Sequence, residues 1–383
     1  MGLLTTLKQN DVFRDEYSLA FDGTNDYVDC GTNFESTLLN SDFSFSIWVK
    51  FVDGRPPSTD LYMFGTKDGN DNFWFRIETD GDVAFYYKEG TTQSNLVASG
   101  YLADGASNWI HFVGTLSDSA QKIYANGVVI ASGTASLDTS GFAQDTNRNL
   151  VIGARNNAGT VGNYLPCNIS EVAFYTSALT ANQVKTIYNG REPYNHKEGV
   201  ASGNLQAWYR MGDGALDGFN PDAATNGLIQ SYNSQLESSI VTSWTNGSAG
   251  FNTLNTTGTN ITSMINNDSG TDNVRSNSLT VAVTDIYKIS FDVAGTTVPT
   301  AINKLMFKFS PNAALNSSTY GGSITHTGSY VFYVSPATTT IYVGFRAVED
   351  VDCNITNFKM QKVTNNAGLM TNMAADDFEG DTP

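Results

Sequence analysis

The sequence predicts an all-β chain built as two β-sandwiches, and three observations carry that reading. Long stretches alternate apolar and polar residues at period two, bounded by turn-forming residues. Charged residues make up 15% of the 383, against about 25% in an average globular protein, and Gly, Ser, Thr and Asn stand in their place. Hairpin dipeptides such as Asp80-Gly81 and Asn126-Gly127 fall between alternating runs, where a tight turn needs positive φ.

The elements follow in chain order from Tyr17. FSFSIWVKF sets Phe43, Phe45, Ile47, Val49 and Phe51 on one face, with Ser44, Ser46 and Lys50 on the other. FWFRI and DVAFYYK flank Asp80-Gly81, and KIYANGVVIASG reads as a hairpin closed by Asn126-Gly127 in a type I′ turn. NLVIGAR and ISEVAFY continue the strands. One helix interrupts them: in ALTANQVKTIYNG, Thr180 caps, Gln183 completes a capping box, Val184, Ile187 and Tyr188 form an apolar stripe, and Gly190 ends it. Residues 15–191 are read as one sandwich behind an N-terminal arm, residues 1–14.

A second set of strands follows in SLTVAVTDIYKISFDVAG, NKLMFKFS, GSYVFYVS, TTIYVGFRAVEDVDC and ITNFKMQKV. Here Tyr330, Phe332 and Val334 share one face, and Val331 and Tyr333 the other. This second, smaller jelly roll spans residues 228–363.

The bulk properties exclude several function classes. With 21 basic and 38 acidic residues the net charge is −17, the reverse of a nucleic-acid footprint and unsuited to anionic membranes. Cys30, Cys167 and Cys353 are odd in number and far apart, so they are expected as reduced, buried thiols. His111, His196 and His326 have no metal-ligand spacing, which argues against a zinc site or a Ser-His-Asp triad. The start MGLLTTLKQNDVF has no basic stretch leading into an apolar one, so no signal peptide is expected. An extracellular style of composition without an export signal fits a virion protein, made in the cytoplasm and exposed after lysis.

Several segments then carry a resemblance. SLAFDGTNDYVDCG, FSFSIWVKF, WIHFVGTL, KIYANGVVIASG, NLVIGAR and ISEVAFYTSALTANQVKTIYNG occur in the order of the laminin-G-like, concanavalin A-like lectin/glucanase superfamily. The resemblance implies a concanavalin A-like sandwich, a frame that hosts lectins, adhesion modules, glucanases and structural modules alike. The second strand set is similar to the jelly rolls of carbohydrate-binding modules.

WYRMGDGALDG, Trp208 to Gly218, belongs to neither set. It lacks the GxxxxGK[ST] of a phosphate loop and the carboxylate spacing of an EF-type calcium loop. Residues 192–227 and the tail 364–383 instead resemble two halves of one segment of tailed-phage virion proteins that carry a laminin-G-like domain. There such a segment runs on directly to a TMTNM-like stretch and a terminal DTP. The resemblance implies a strap, interrupted by an inserted jelly roll whose termini lie close together.

Candidate sites are few. Glucanases of this fold present ExDxE or ExDxxE on one strand. Glu171 has no carboxylate at i+2 or i+4, so no glycosidase pair is expected. Asp22, Asp26 and Asp29 offer hard oxygens for calcium at a rim, with simple turn-making as the competing reading. Related domains read IDEV where this chain reads ISEV, so Ser170 replaces a possible ligand. Trp244, Tyr320 and Trp74 are the aromatics chosen for sugar stacking, the first two from polar, glycine-rich contexts and Trp74 as an outer-face strand residue.

The expectation is therefore a non-enzymatic virion surface protein, a capsid decoration or fibre component adhering to host or environmental glycans. Its expected partners are capsid or other virion proteins and further copies of itself, with no nucleic acid and no membrane. The competing class is a secreted glycan-binding protein or glycoside hydrolase.

Overall fold

The computed structural model describes residues 15–383 other than 32–38, 40, 57, 69–70, 138–148, 192–193, 215–216, 220–225, 230, 232–233, 248–249, 268–269, 284, 301–303, 317–319, 349, 365–366 and 374. The expected N-terminal arm lies outside the described residues. The chain divides into two compact units, one of Met1–Tyr27, Thr32–Ala215 and Asp376–Pro383, the other of Val28–Gly31 and Leu216–Ala375.

In the first unit the strands pair in the order Val128–Gly133, Gln121–Ala125, Trp109–Leu116, Phe43–Phe51, Pro166–Tyr175, Ser18–Asp22 and Phe378–Glu379. Leu205–Tyr209 also pairs with Pro166–Tyr175. Facing this sheet are Val151–Ile152, Leu61–Asp68, Asp71–Ile77, Val83–Glu89 and Thr92–Ala98. Phe43 and Phe45 from one sheet meet Phe64, Phe73, Phe75 and Phe85 from the other, with ring centroids 4.8–6.1 Å apart. Pairs at that separation add to the area they bury.

The Phe43–Phe51 strand departs from simple alternation. Ser44, Ser46 and Trp48 are buried along with the apolar face. The reason is the helix Ala181–Tyr188, whose Tyr188 stacks on Trp48 and His111 and covers that side of the sheet. Thr180 caps this helix in a capping box with Gln183, Val184 and Ile187 are its buried residues, and Asn189 and Gly190 leave it at positive φ. Asn126 and Gly127 adopt φ of 50° and 76° between paired Ala125 and Val128, as a two-residue type I′ turn requires. The Asp80-Gly81 hairpin is longer than a two-residue turn. Glu78 and Asp82 close it by a backbone hydrogen bond, with Gly81 alone at positive φ.

The second unit holds its own sandwich. One sheet runs Thr253–Thr257, Asn260–Asn266, Val351–Thr364, Ile286–Thr297 and Gly328–Val334. The other runs Thr245–Asn246, Asp272–Arg275, Thr340–Ala347, Leu305–Ser310 and Tyr320–Ser323. Tyr330, Phe332 and Val334 point into the core between these sheets, among Phe291, Phe307 and Phe345. Tyr333 points the other way, into a small cluster with Leu228, Val363 and Ala367. Leu228 and Ala367 belong to the segments flanking the sandwich. Those segments pair antiparallel, Asn226 opposite Thr371 and Ile229 opposite Gly368. Both expected strap halves are thus shared between units: Leu205–Tyr209 and Phe378–Glu379 lie in the first, Asn226–Ile229 and Gly368–Thr371 in the second.

Among the described residues no helix is long and apolar enough to cross a membrane. All three cysteines are buried and outside any disulfide, and burial pushes the thiol pKa of Cys167 and Cys353 upward.

Candidate saccharide-binding face

Alternation in the sheet Leu61–Ala98 sends Phe73, Phe75, Ile77 and Phe85 into the first unit's core. The same alternation sends Asn72, Trp74 and Arg76 of one strand to the outer face, beside Tyr86 and Lys88 of the next. Register places Trp74 opposite Tyr86. Their rings stack at 4.4 Å and 12°, and both side chains remain partly exposed. Tyr62 meets Trp74 edge-on at 6.1 Å.

Two arginines close this aromatic group. Arg76 lies 5.8 Å from the Trp74 ring centre and 5.9 Å from that of Tyr62, and it pairs with Asp60 at 2.8 Å and Glu78 at 2.6 Å. Arg155 sits 4.8 Å over the Tyr62 ring, within cation–π range. Its strand, Arg155–Asn157, pairs parallel to Leu61–Asp68. Both guanidinium groups donate to the Tyr62 hydroxyl, Arg155 at 2.8 Å and Arg76 at 3.2 Å. Arg155 also donates to Asn163 Oδ1 at 3.2 Å. Gly65 makes the crowding possible: a Cβ there would stand 3.1 Å from Trp74, 3.2 Å from Tyr62 and 3.3 Å from Arg155.

The three aromatics expected to stack sugars fare differently. Trp74 lies on this outer face. Trp244 does not: it is 8% exposed, wedged between Phe358 and Phe345 in the second core, with its indole N–H donating to the Thr259 carbonyl. This corrects its reading as a binding residue; the apolar ring area outweighs its polar sequence context, and the one polar atom finds a partner inside. Tyr320 opens the edge strand Tyr320–Ser323, but its side chain lies outside the described residues.

Asp22, Asp26 and Asp29 serve turns. Asp22 accepts the Thr24 and Asn25 N–H groups, Asp26 accepts that of Asp22, and Asp29 accepts that of Gly31. Burial pushes Asp26 up to about 6, with Asp22 and Asp377 adding repulsion and the Asp22 N–H opposing it. Among the described residues the acidic group that converges is a different one, Glu78, Asp80 and Asp82, with oxygens within 4.8 Å. There too Asp80 and Asp82 accept backbone N–H groups, and Glu78 holds Arg76.

Glu171 has carboxylate neighbours that no local spacing announced. Asp15 and Asp213 stand beside it, and Ser170 donates to Asp15 at 3.0 Å. Ser46 and His111 hydrogen-bond at 2.8 Å, but both are buried and His111 Nδ1 has no partner among the described residues. Burial drives His111 down to about 3, and with no carboxylate on its Nδ1 among the described residues the pair lacks the third member of a triad.

Residues 22–185 match the model of the concanavalin A-like lectin/glucanases superfamily, in its Laminin_G_3 family. Among solved structures the chain is similar to the CBM40 of Ruminococcus gnavus IT-sialidase bound to alpha2,3 sialyllactose, at 15% identity and TM-score 0.37, covering 45% of this chain and 96% of that one. It is similar to a putative carbohydrate binding protein from Bacteroides ovatus, at 18% identity and TM-score 0.41, covering 57% and 56%. A heptameric SAP-like pentraxin from Limulus polyphemus is similar at 16% identity and TM-score 0.35, covering 45% and 82%. No curated protein matches.

Proposed function

We propose that this chain is a non-enzymatic glycan-binding protein whose first sandwich holds saccharides on the outer face around Trp74. The observation that carries the reading is the Trp74–Tyr86 stack standing partly exposed beside hydrogen-bonding groups. Sugar rings present C–H faces to aromatic surfaces and hydroxyls to polar ones, and this face offers both. The match of residues 22–185 to a superfamily of lectins and glucanases supports it. For the absence of hydrolysis the support is local. Glu171 is 2% exposed and shielded by Trp208, so it is poorly placed to reach a scissile bond.

Single sites of this kind bind weakly, roughly in the millimolar to micromolar range. Display in many copies raises avidity about a hundredfold or more. We assign the virion surface, as capsid decoration or fibre, as the setting that supplies those copies. This rests on the phage-like resemblance of residues 192–227 and 364–383.

Glycan-array screening of an oligomerised chain tests the reading. Binding is expected in the oligomer and largely lost on Trp74→Ala, with the melting temperature of the variant within a few degrees of the parent. Binding that ignores Trp74, or silence across bacterial and host polysaccharides, would sink the assignment. Release of reducing sugar from any bound glycan would overturn its non-enzymatic part. Mass spectrometry of purified particles checks the setting.

A further inference from the structure

We propose that the Trp74 face selects acidic saccharides, seating a sugar carboxylate on Arg155 and the Tyr62 hydroxyl; this rests on the glycan-binding reading and names its substrate class. The argument is an accounting of donors. Arg155 has five N–H groups. One hydrogen bond goes to Tyr62 and one to Asn163, and Nε is buried without an acceptor among the described residues. No carboxylate pairs with Arg155 among the described residues, whereas Arg76 holds both Asp60 and Glu78.

The Tyr62 hydroxyl completes the case. It is on a side chain only 1% exposed and accepts from both guanidinium groups. Its lone pairs are then occupied, and its own proton has no acceptor among the described residues. A half-buried cation and a buried hydroxyl with donors to spare are matched by an acceptor-only group. A planar carboxylate fits a planar guanidinium fork better than a neutral hydroxyl does, because it takes two parallel hydrogen bonds and cancels the charge.

The charge pattern points the same way. The outward positions of the four strands are Gly65 and Lys67; Asn72, Trp74 and Arg76; Ala84, Tyr86 and Lys88; and Gln93, Asn95 and Val97. None is acidic, on a chain of net charge −17, and the two carboxylates at the edge of the face, Asp60 and Glu78, are both paired with Arg76. An acidic glycan is therefore repelled by most of the surface and drawn to this face.

The test pairs acidic oligosaccharides with their neutral counterparts: an oligogalacturonate against its carboxyl-reduced form, and a sialylated oligosaccharide against its desialylated one. The full chain and its Arg155→Gln, Arg155→Lys and Trp74→Ala variants are titrated by calorimetry. At least one acidic probe is expected to bind tenfold or more tightly than its neutral partner. Arg155→Gln should erase that preference while leaving the weaker neutral binding, and Arg155→Lys should restore part of it. Trp74→Ala should remove both. Equal binding of acidic and neutral forms, still dependent on Trp74, would overturn the acidic selection and leave the glycan reading standing. No binding of any probe, or binding indifferent to Trp74, would overturn both. Circular dichroism melts confirm that each variant is folded.

Discussion

Trp208 donates its indole N–H to the carboxylate of Glu171, a residue held at φ 50° inside the strand Pro166–Tyr175. A non-glycine residue rarely sits there, and here the register of the sheet shifts between Ser170 and Ala173. The bulge turns Glu171 toward the WYRMGDG segment. Arg210 donates to it at 3.3 Å, and Asp213 in turn accepts the N–H groups of Glu16 and Tyr17 at 3.0 and 3.2 Å. Met211 is fully buried beside them. The segment fastens the start of the first unit to one of its central strands.

This fastening should depend on pH. Burial raises the pKa of both Glu171 and Asp15, and their mutual charge raises Asp15 further, against the lowering effect of Arg210 on Glu171. A carboxyl with a raised folded-state pKa contributes fully below the ordinary carboxylate range, and loses that contribution as pH climbs through the raised value. The first unit should therefore melt at a higher temperature at pH 5 than at pH 8. Glu171→Gln, which keeps an acceptor for Trp208, should shrink the corresponding difference in unfolding free energy between the two pH values by about 1–3 kcal/mol. An unchanged pH slope in that variant would show that the rest of the −17 charge, and not this cluster, sets it.

Trp244→Ala should act on stability and not on sugar binding. The ring fills space between Phe345 and Phe358 in the second core, and removing a large buried aromatic costs about 3–5 kcal/mol. Denaturant unfolding of the full chain should show one transition moved to lower denaturant. Loss of glycan binding with that transition unmoved would return Trp244 to the surface role first expected of it.

The contrast between Trp74 and Trp244 shows what was legible. Alternation identified many of the strands, the shared face of Phe43 and Phe45, and the opposite faces of Phe332 and Tyr333, but not Leu61–Asp68 or Asn260–Asn266. The helix was readable from Thr180 and Gln183, because capping is local. Trp74 was readable as an outer-face residue, and the structure shows why: its neighbours Phe73 and Phe75 point into the core. Trp244 was misread because polar neighbours say nothing about a ring that packs against residues a hundred positions away. Arg155 was missed for the same reason: its partner Tyr62 lies 93 positions earlier, and only a parallel strand pairing brings them together. Tyr86 was within reach, since any register closing near Asp80-Gly81 sets it close to Trp74.

Asp381 should hold the tail of the first unit. It bonds Lys50, accepts the Trp109 indole N–H at 3.2 Å, and its carbonyl accepts from Ser18 at 2.6 Å. The Lys50 bond holds its pKa below the usual range; burial opposes it, and the Trp109 bond and the Lys50 charge add to the lowering. The Lys50–Asp381 pair is partly exposed, so little of its charge attraction survives screening. Asp381→Ala is expected to destabilise the first unit by about 1–2 kcal/mol, chiefly through the lost hydrogen bonds. Limited proteolysis reads it out, with cleavage near Phe378 becoming faster. Unaltered cleavage would mean that Phe378–Glu379, paired with Ser18 and Leu19, suffices.

The second sandwich should fold when cut out of the chain, provided its flanking strands go with it. Its core joins residues from Val241 to Met360, a self-contained apolar interior of the kind that supports independent folding. Cutting at residues 228 and 363 would strip Asn226–Ile229 of its partner Gly368–Thr371 and uncover Tyr333, Val363 and Leu228. Residues 226–371 keep that pairing and that cover. Expressed alone, this longer piece should give a single cooperative thermal transition with the near-ultraviolet signal of packed aromatics. The shorter piece, 228–363, should melt lower by several degrees, because an antiparallel pair and a small apolar cluster are lost together. Equal melting of the two would show that the flanking strands only connect. Failure of both to fold would show that this sandwich depends on the rest of the chain, and would remove the case for an inserted domain.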